Sequence, residues 1–380
     1  LKIQYFGLLN QLLIVQDLFL EHLSLVNYKN LEAADYSLNP KINCFVGYNG
    51  VGKTNVLDAV YHLAFGKSYF SSLNNQNISH HADFCMIEGL FQKENKKIRI
   101  QSSFQRDGKK ILKKNNKSYK KIADHLGSIP VVIISPTDRD LIAEGSSTRR
   151  KFLDSIIGQT YRPYVQHLIQ YQRTLSQRNA LLKQFRLQGN FDLETLSVYN
   201  DQLIHFGVPI YQKRKAFVDE FLPYFVNRYK GISGSQEEVD VVYDSQLHNN
   251  SLAELLQESM DKDRILQFTS TGPHKDDLQF KIDGYPIKKY GSQGQQKTFL
   301  VALKLAQYDM MQHQTKLPPI LLLDDIFDKL DDQRVSHIVD LVHDEAFGQL
   351  FISDTHRERT EEIIQKTGQS YSIFTLNKNK

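Results

Sequence analysis

Two kinds of apolar spacing alternate along the chain. Ile42, Cys44, Phe45 and Val46, then Ile129 to Ile134, Pro319 to Leu323 and Leu350 to Ile352, are short continuous runs that read as buried strands. After the first run, Val56, Ala59, Val60, Leu63 and Ala64 recur at i, i+3, i+4, i+7 and i+8, which predicts a helix packed by one face. Ile98, Ile100, Ser102 and Phe104 alternate up to Arg106-Asp107-Gly108, and Ile111 and Leu112 lead to Asn115-Asn116, so a β-meander with two tight turns is expected there. Leu278 to Ile282, Asp283-Gly284 and Tyr285-Pro286-Ile287 form a further hairpin pattern.

A helical register takes over in the middle of the chain. Ser146-Ser147-Thr148 can cap a helix that starts at Arg149. Tyr164, Leu168, Tyr171, Leu175, Leu182 and Phe185 form one seam, and Leu196, Tyr199, Leu203 and Phe206 form a second beyond Gln188-Gly189-Asn190. The expected product is an antiparallel hairpin of helices a few turns long, too short for an extended coiled coil. Arg162, Arg173, Arg178, Lys183 and Arg186 are expected on its solvated face, and Gly231 to Gln267 is polar with little periodicity. The overall expectation is an α/β chain: residues 18–135 and 318–380 form one lobe, residues 136–317 a mostly helical inserted lobe, and residues 1–17 an N-terminal extension whose apolar run, cut by Gln11 and Asp17, is too short for a membrane span.

Chemistry enters at the first strand-to-helix junction. Gly47 to Thr54 reads GYNGVGKT, the G-x-x-x-x-G-K-[ST] phosphate loop, preceded by a strand pattern and followed by a helix pattern as that loop requires. Candidate nucleotide contacts are Gly47, Asn49, Gly50, Gly52, Lys53, Thr54 and Asn55, with Lys53 charging the outer phosphates and Thr54 a Mg²⁺ ligand. The apolar strand ending Leu323-Asp324-Asp325 supplies the complementary carboxylates: Asp324 to hold Mg²⁺, and Asp325 to orient or deprotonate an attacking water. His356, after the strand Leu350 to Ser353, reaches the γ-phosphate edge if that strand neighbours the Asp324 strand; otherwise it is a surface residue at a strand end.

Charge changes the picture at one place. Of the 380 residues, 24% are charged and the formal net charge is only +4, yet Lys93 to Lys121 holds twelve Lys or Arg against Glu94 and Asp107. Lys96, Lys97, Arg99, Lys109, Lys110, Lys113, Lys114, Lys117, Lys120 and Lys121 are either a solvated basic face or a stripe that contacts nucleic-acid phosphates. Two cysteines, Cys44 and Cys85, fit neither a disulfide framework nor metal-ligand spacing, and a reducing, cytoplasmic location is expected.

Ser292-Gln293-Gly294-Gln295-Gln296, opening a helix between the phosphate loop and the Asp324 strand, resembles the signature motif of ABC-type ATPase heads. Together with GYNGVGKTNVLDAVYHLA, SPTDRDLI, EGSSTRRKFLD, QRNALLK, GPHKDDL and LLLDDIFDKLD, it closely resembles the RecF family, bacterial recombination and repair ATPases related to SMC heads. The resemblance runs from about Leu18 to about Thr355. It implies an ABC-type, SMC-like P-loop ATPase head that binds ATP and Mg²⁺ and forms an ATP-dependent homodimer. In that arrangement Ser292, Gly294 and Gln295 meet nucleotide held by the other copy. It further implies binding to double-stranded or gapped DNA, slow DNA-stimulated hydrolysis, and action with RecO and RecR, away from any membrane. Three positions depart from the wider pattern. Asp325 stands where most heads carry Glu, Lys29 stands for an Arg expected near phosphate, and Ser135-Pro136-Thr137-Asp138 lacks the usual glutamine. Another SMC-like head, a transporter ATPase subunit and a non-hydrolysing scaffold are the competing readings.

Overall fold

The chain's structure, a computed structural model, describes residues 18–71, 73–234, 237–325 and 347–377. The expected extension, residues 1–17, and Lys329-Leu330-Asp331, which reads as the start of a helix, lie outside the described residues. Among the described residues, those up to Pro136 together with those from Tyr308 onward form one compact unit, and those within Thr137–Gln307 form another.

In the first unit, β1 (Leu18–Tyr28), β2 (Leu31–Ser37), β4 (Phe84–Lys93), β5 (Lys96–Gln105), β6 (Lys110–Lys114) and β7 (Lys117–Ser118) form an antiparallel sheet in the order β2-β1-β4-β5-β6-β7. A register shift between Leu20 and His22 in β1 moves the buried face from Leu18 and Leu20 to Leu23 and Leu25, as a bulge requires of a period-two element. A parallel sheet contains β3 (Ile42–Val46), β8 (Val131–Ile134), β12 (Ile320–Asp324), β13 (Leu350–Asp354) and β14 (Tyr371–Thr375) in the order β14-β3-β13-β12-β8. Helix α1 (Lys53–Phe65) shares one core cluster with residues of both sheets. Every residue of β3, β12 and β13 is buried, which explains why these strands read as unbroken apolar runs. Because β13 lies between β3 and β12 in parallel, the chain leaves Val46, Asp324 and Asp354 at the same sheet edge, where α/β sheets hold ligands.

The second unit contains α2 (Ser146–Thr160), α3 (Arg162–Gln188), α4 (Leu193–Ser233), the start of α5 (Gln293–Thr315), and a sheet ordered β11-β10-β9 from β9 (Val239–Asp244), β10 (Asp277–Ile282) and β11 (Tyr285–Pro286). The helical hairpin is longer than its seams suggest: α3 has 27 residues and α4 has 41, about 40 and 60 Å at helical rise. The second seam ends at Phe206, yet α4 continues through Pro209 and Pro223. Its buried stripe continues through Ile210, Arg214, Phe217, Phe221, Phe225 and Tyr229, and tertiary burial outweighs the local penalty of proline. Arg178, expected on the solvated face, is fully buried, donating to Asn200, Asp263 and Thr269 at 2.8 Å each. No helix among the described residues is long and apolar enough to cross a membrane.

Candidate nucleotide site

The loop after β3 takes its shape from three glycines with positive φ: Gly47 at 150°, Gly50 at 83° and Gly52 at 109°. A Cβ on Gly47 would stand 2.4 Å from the Leu376 carbonyl oxygen, so the position needs glycine for space as well as for conformation. Gly47→Ala is expected to cost on the order of 1–3 kcal/mol of stability. A calorimetric melting temperature unchanged from the parent would contradict this. Lys53, 4% exposed, turns its ammonium back onto the loop and donates to the carbonyls of Gly47 at 2.8 Å and Tyr48 at 3.2 Å.

The two halves of the parallel sheet meet at the next residue. Thr54 Oγ1 donates to Asp324 Oδ1 at 2.8 Å across 270 positions of sequence. Ser353 Oγ, fully buried on β13, donates to the same Asp324 oxygen at 2.7 Å and accepts the Asp325 backbone N–H at 2.9 Å. Asp325 itself sits at φ 47°, where the chain turns out of β12. Ser353 thus fixes both carboxylate-bearing residues, a role that no motif in the sequence announced. A hydroxyl and a carboxylate in contact are hard oxygen donors of the kind Mg²⁺ takes when phosphate and water complete its shell, so the residues fit that ion. Among the described residues there is no cluster of three His, Cys, Asp or Glu side chains suited to a metal held by protein alone.

The turn at Asn27 to Asn30 supports the loop from outside. Lys29, with φ 52°, pairs with Asp58 at 2.5 Å. Asp58, wholly buried on α1, also accepts from Tyr28 Oη and Ser68 Oγ at 2.6 Å and from the Tyr69 N–H at 2.7 Å. Burial, and then the Asp58 charge, raise the Tyr28 pKa well above its usual value. Lys29 is therefore engaged within the protein, and it is its neighbour that touches the loop: Asn30 Nδ2 donates to the Gly50 carbonyl at 2.9 Å, and Asn55 donates to Asn30 Oδ1 at 2.6 Å.

His356 follows β13, the strand that pairs with β12, and its side chain is exposed. Asp354 Oδ1 accepts the backbone N–H of Thr355 at 2.5 Å and of His356 at 3.1 Å, shaping the turn before helix α6 (Arg357–Gln365). Gly47, Tyr48, Asn49, Thr355, His356, Arg357, Glu358 and Arg359 line an open cleft of about 870 Å³, within the range of small-molecule sites.

Residues 19–379 match the RecF/RecN/SMC N terminal domain family. The DNA replication and repair protein RecF of Flavobacterium johnsoniae is 57% identical over 94% of this chain and 99% of its own length. The chain belongs to the RecF family. The RecF of Bacteroides thetaiotaomicron is 44% identical over 94% of this chain and 97% of its own. Among solved structures, the recombination mediator protein RecF-ATPrS in the RecFOR pathway superposes with a TM-score of 0.86 at 28% identity, over 96% of this chain and 97% of that one. An Smc head domain from Pyrococcus furiosus, at 16% identity and a TM-score of 0.55, covers 95% of this chain and 94% of its own and shares the fold. The fold of this RecF-family chain is therefore that of an ABC-type, SMC-like ATPase head.

The signature segment lies in the second unit, at the start of α5. Ser292 Oγ accepts the Gln295 N–H at 3.2 Å while Gln295 Oε1 accepts the Ser292 N–H at 2.6 Å, a reciprocal capping box. Ser292 is exposed, and Gly294 in the first turn carries no side chain to obstruct an approaching group.

The basic meander forms as the pattern predicts, with positive φ at Asp107, Asn115 and Asn116 in its turns. Its cations do not share one face. Lys97, Arg99 and Lys113 lie on the side away from buried Ile100, Ser102 and Phe104, and Lys97 and Arg99 pair with Glu21 at 2.9 Å and Glu88 at 3.6 Å. Lys110 and Lys114 share the Phe104 face, and Lys110 stands 5.1 Å from that ring's centre, its pKa pushed down to about 8 by burial. Lys110 is thus drawn into the protein, whereas Lys96, Lys109, Lys117, Lys120 and Lys121 are exposed.

Proposed function

We propose that this RecF-family chain is an ATP-dependent DNA-binding protein of replication and repair, in which ATP joins two copies on DNA and slow hydrolysis releases them. The observation that carries this reading is the contact between Thr54 and Asp324, which brings the phosphate loop and the second carboxylate motif into one centre. The RecF relatives are called DNA replication and repair proteins, and the matching solved chains are RecF with ATPrS and with ATP.

In this reading the loop amides and the N-terminus of α1 face the phosphates, and Lys53 exchanges its carbonyl partners for phosphate oxygens. Thr54 and Asp324 hold Mg²⁺, whose contribution is to neutralise charge between the outer phosphates. Asp325 accepts a proton from, or orients, the attacking water, with its backbone fixed by Ser353. His356 lies at the outer-phosphate edge of the cleft. Ser292, Gly294 and Gln295 complete the site from a second copy, using a helix N-terminus whose cap leaves Ser292 exposed. Lys29 acts through Asp58 on the loop's support, and Asn30 holds the loop directly. RecO and RecR are partners of this cytoplasmic assembly by family likeness.

Ser353→Ala removes the link between the carboxylates, and Mg²⁺-dependent ATP affinity is expected to fall about tenfold with Mg²⁺-free affinity preserved. A fluorescent ATP analogue titrated with and without Mg²⁺ reads both; equal losses in the two conditions would count against the role. The exposed lysines of the meander are the proposed DNA contacts. With about five phosphates engaged, log affinity should fall against log salt with a slope of roughly −4 to −5. Changing Lys109, Lys117, Lys120 and Lys121 to Glu should flatten that slope, and an unaltered slope would make the stripe a solvated face.

A further inference from the structure

Two segments that the nucleotide site does not use, EGSSTRRKFLD and GPHKDDL, converge inside the second unit. Arg214 of α4 is almost fully buried between them. It donates to Asp154 at 2.8 Å, to the Pro273 carbonyl at 2.7 Å and to Tyr164 Oη at 2.9 Å, and lies 3.3 Å from Asp276. Tyr164 also donates to Asp154 Oδ1, the oxygen that takes Arg214, and Tyr243 donates to Asp276. Arg149 makes a two-point contact with Asp277, at 2.7 and 2.9 Å.

Arg150 is treated differently. Its Nη1 donates to the Asp276 carbonyl at 2.6 Å, and among the described residues neither Arg150 nor Lys151 makes an ion pair. Burial first, and the adjoining Arg214 second, lower the Arg150 pKa from the usual guanidinium range. The charges of Asp277, Asp154 and Asp276 act in the opposite direction and offset in part the cost of a half-buried guanidinium beside a second one. Both guanidinium groups line a cavity of about 400 Å³, together with Ser147, Lys151, Asp154, Gln172 and His274. His274 adds no charge at neutral pH: its ring bridges Tyr171 Oη at 2.8 Å and the Thr269 carbonyl at 3.0 Å, and burial pushes its pKa down to about 4. Of the charged side chains lining the cavity, Arg150, Lys151 and Arg214 are cationic and Asp154 is anionic, so the lining stays positive after Asp276 is set against Arg214.

We propose that this cavity is a second anion site, built to take a phosphoryl group. The Arg150 fork supplies paired donors, Lys151 a point charge, and Ser147, in the first turn of α2, a hydroxyl at a helix N-terminus. A tetrahedral oxyanion with several acceptor oxygens matches that donor set, and the volume leaves room for the group that carries it.

The test titrates inorganic phosphate by calorimetry into the full chain carrying Lys53→Ala, which silences the phosphate loop. One site is expected, weakened about tenfold or more by Arg150→Gln and severalfold by the exposed Lys151→Gln, with melting temperatures unchanged for the latter. Absence of binding at millimolar phosphate, or affinity indifferent to both substitutions, overturns the proposal. Two further titrants identify the source of the phosphoryl group. An Arg150-dependent preference for a 5′-phosphorylated oligonucleotide over its dephosphorylated twin assigns a DNA end. Arg150-dependent binding of AMP without that preference assigns a free nucleotide.

Discussion

Lys53→Ala is expected to abolish ATP binding and, with it, any ATP-dependent association of two copies. The Lys53 ammonium is buried and fixed on the carbonyls of Gly47 and Tyr48, so its charge is held inside the curl of the loop before any ligand arrives. Its desolvation is part of the folded state, and phosphate oxygens then gain charge-assisted contacts with little further ordering. Removing it leaves the loop amides facing the phosphates without the point charge, and affinity should fall by more than about a hundredfold, on the order of 3 kcal/mol. Equilibrium titration of a fluorescent ATP analogue measures the loss. Affinity within a few fold of the parent protein would remove the phosphate loop from the account.

The second large effect is expected at Asp325. Asp325→Asn keeps the side chain's size and its backbone contact with Ser353 but removes a carboxylate able to take a proton from water. General-base contributions are about a hundredfold or more, so hydrolysis should nearly cease while ATP binding persists. The ATP-bound, two-copy state should then accumulate during a chromatography run. Normal phosphate release by this variant would assign the proton acceptor to another group. Asp324→Asn should behave differently, because Asp324 meets Thr54 and Ser353 directly and its loss disturbs Mg²⁺ binding before chemistry begins.

The parts of the site legible in sequence are those whose backbone demands a residue type. Gly47, Gly50 and Gly52 are required by positive φ, and the fully apolar β3, β12 and β13 by burial on both faces. Ser353 and Asn30 escaped notice because each acts through one hydrogen-bonding side chain whose partners are set by sheet order and turn packing, which are long-range facts. The same reason applies to Arg178, whose placement on the buried face of α3 depends on Asp263, 85 positions away. The length of α4 was hidden because Gly207 and Pro209 are local stop signals; Gly207 is instead a point of close approach, where a Cβ would meet Tyr171 and Leu252 within 2.9 Å. In the meander the turns were readable, but a count of lysines along the chain could not distribute them between faces; the pairing register does that, sending Lys110 inward and Lys113 outward. β9 was missed because the alternation of Val239, Val241 and Tyr243 is short and set in a polar stretch.

We propose that Gly47 to Thr54 forms half of an ATP site whose other half, Ser292 to Gln295, comes from a second copy. Molar mass by light scattering, with and without a non-hydrolysable ATP analogue and Mg²⁺, tests it most directly. A doubling of mass is expected with the analogue, lost in both Lys53→Ala and Ser292→Arg, the latter still binding nucleotide. A chain that binds the analogue and keeps the mass of one copy would contradict it.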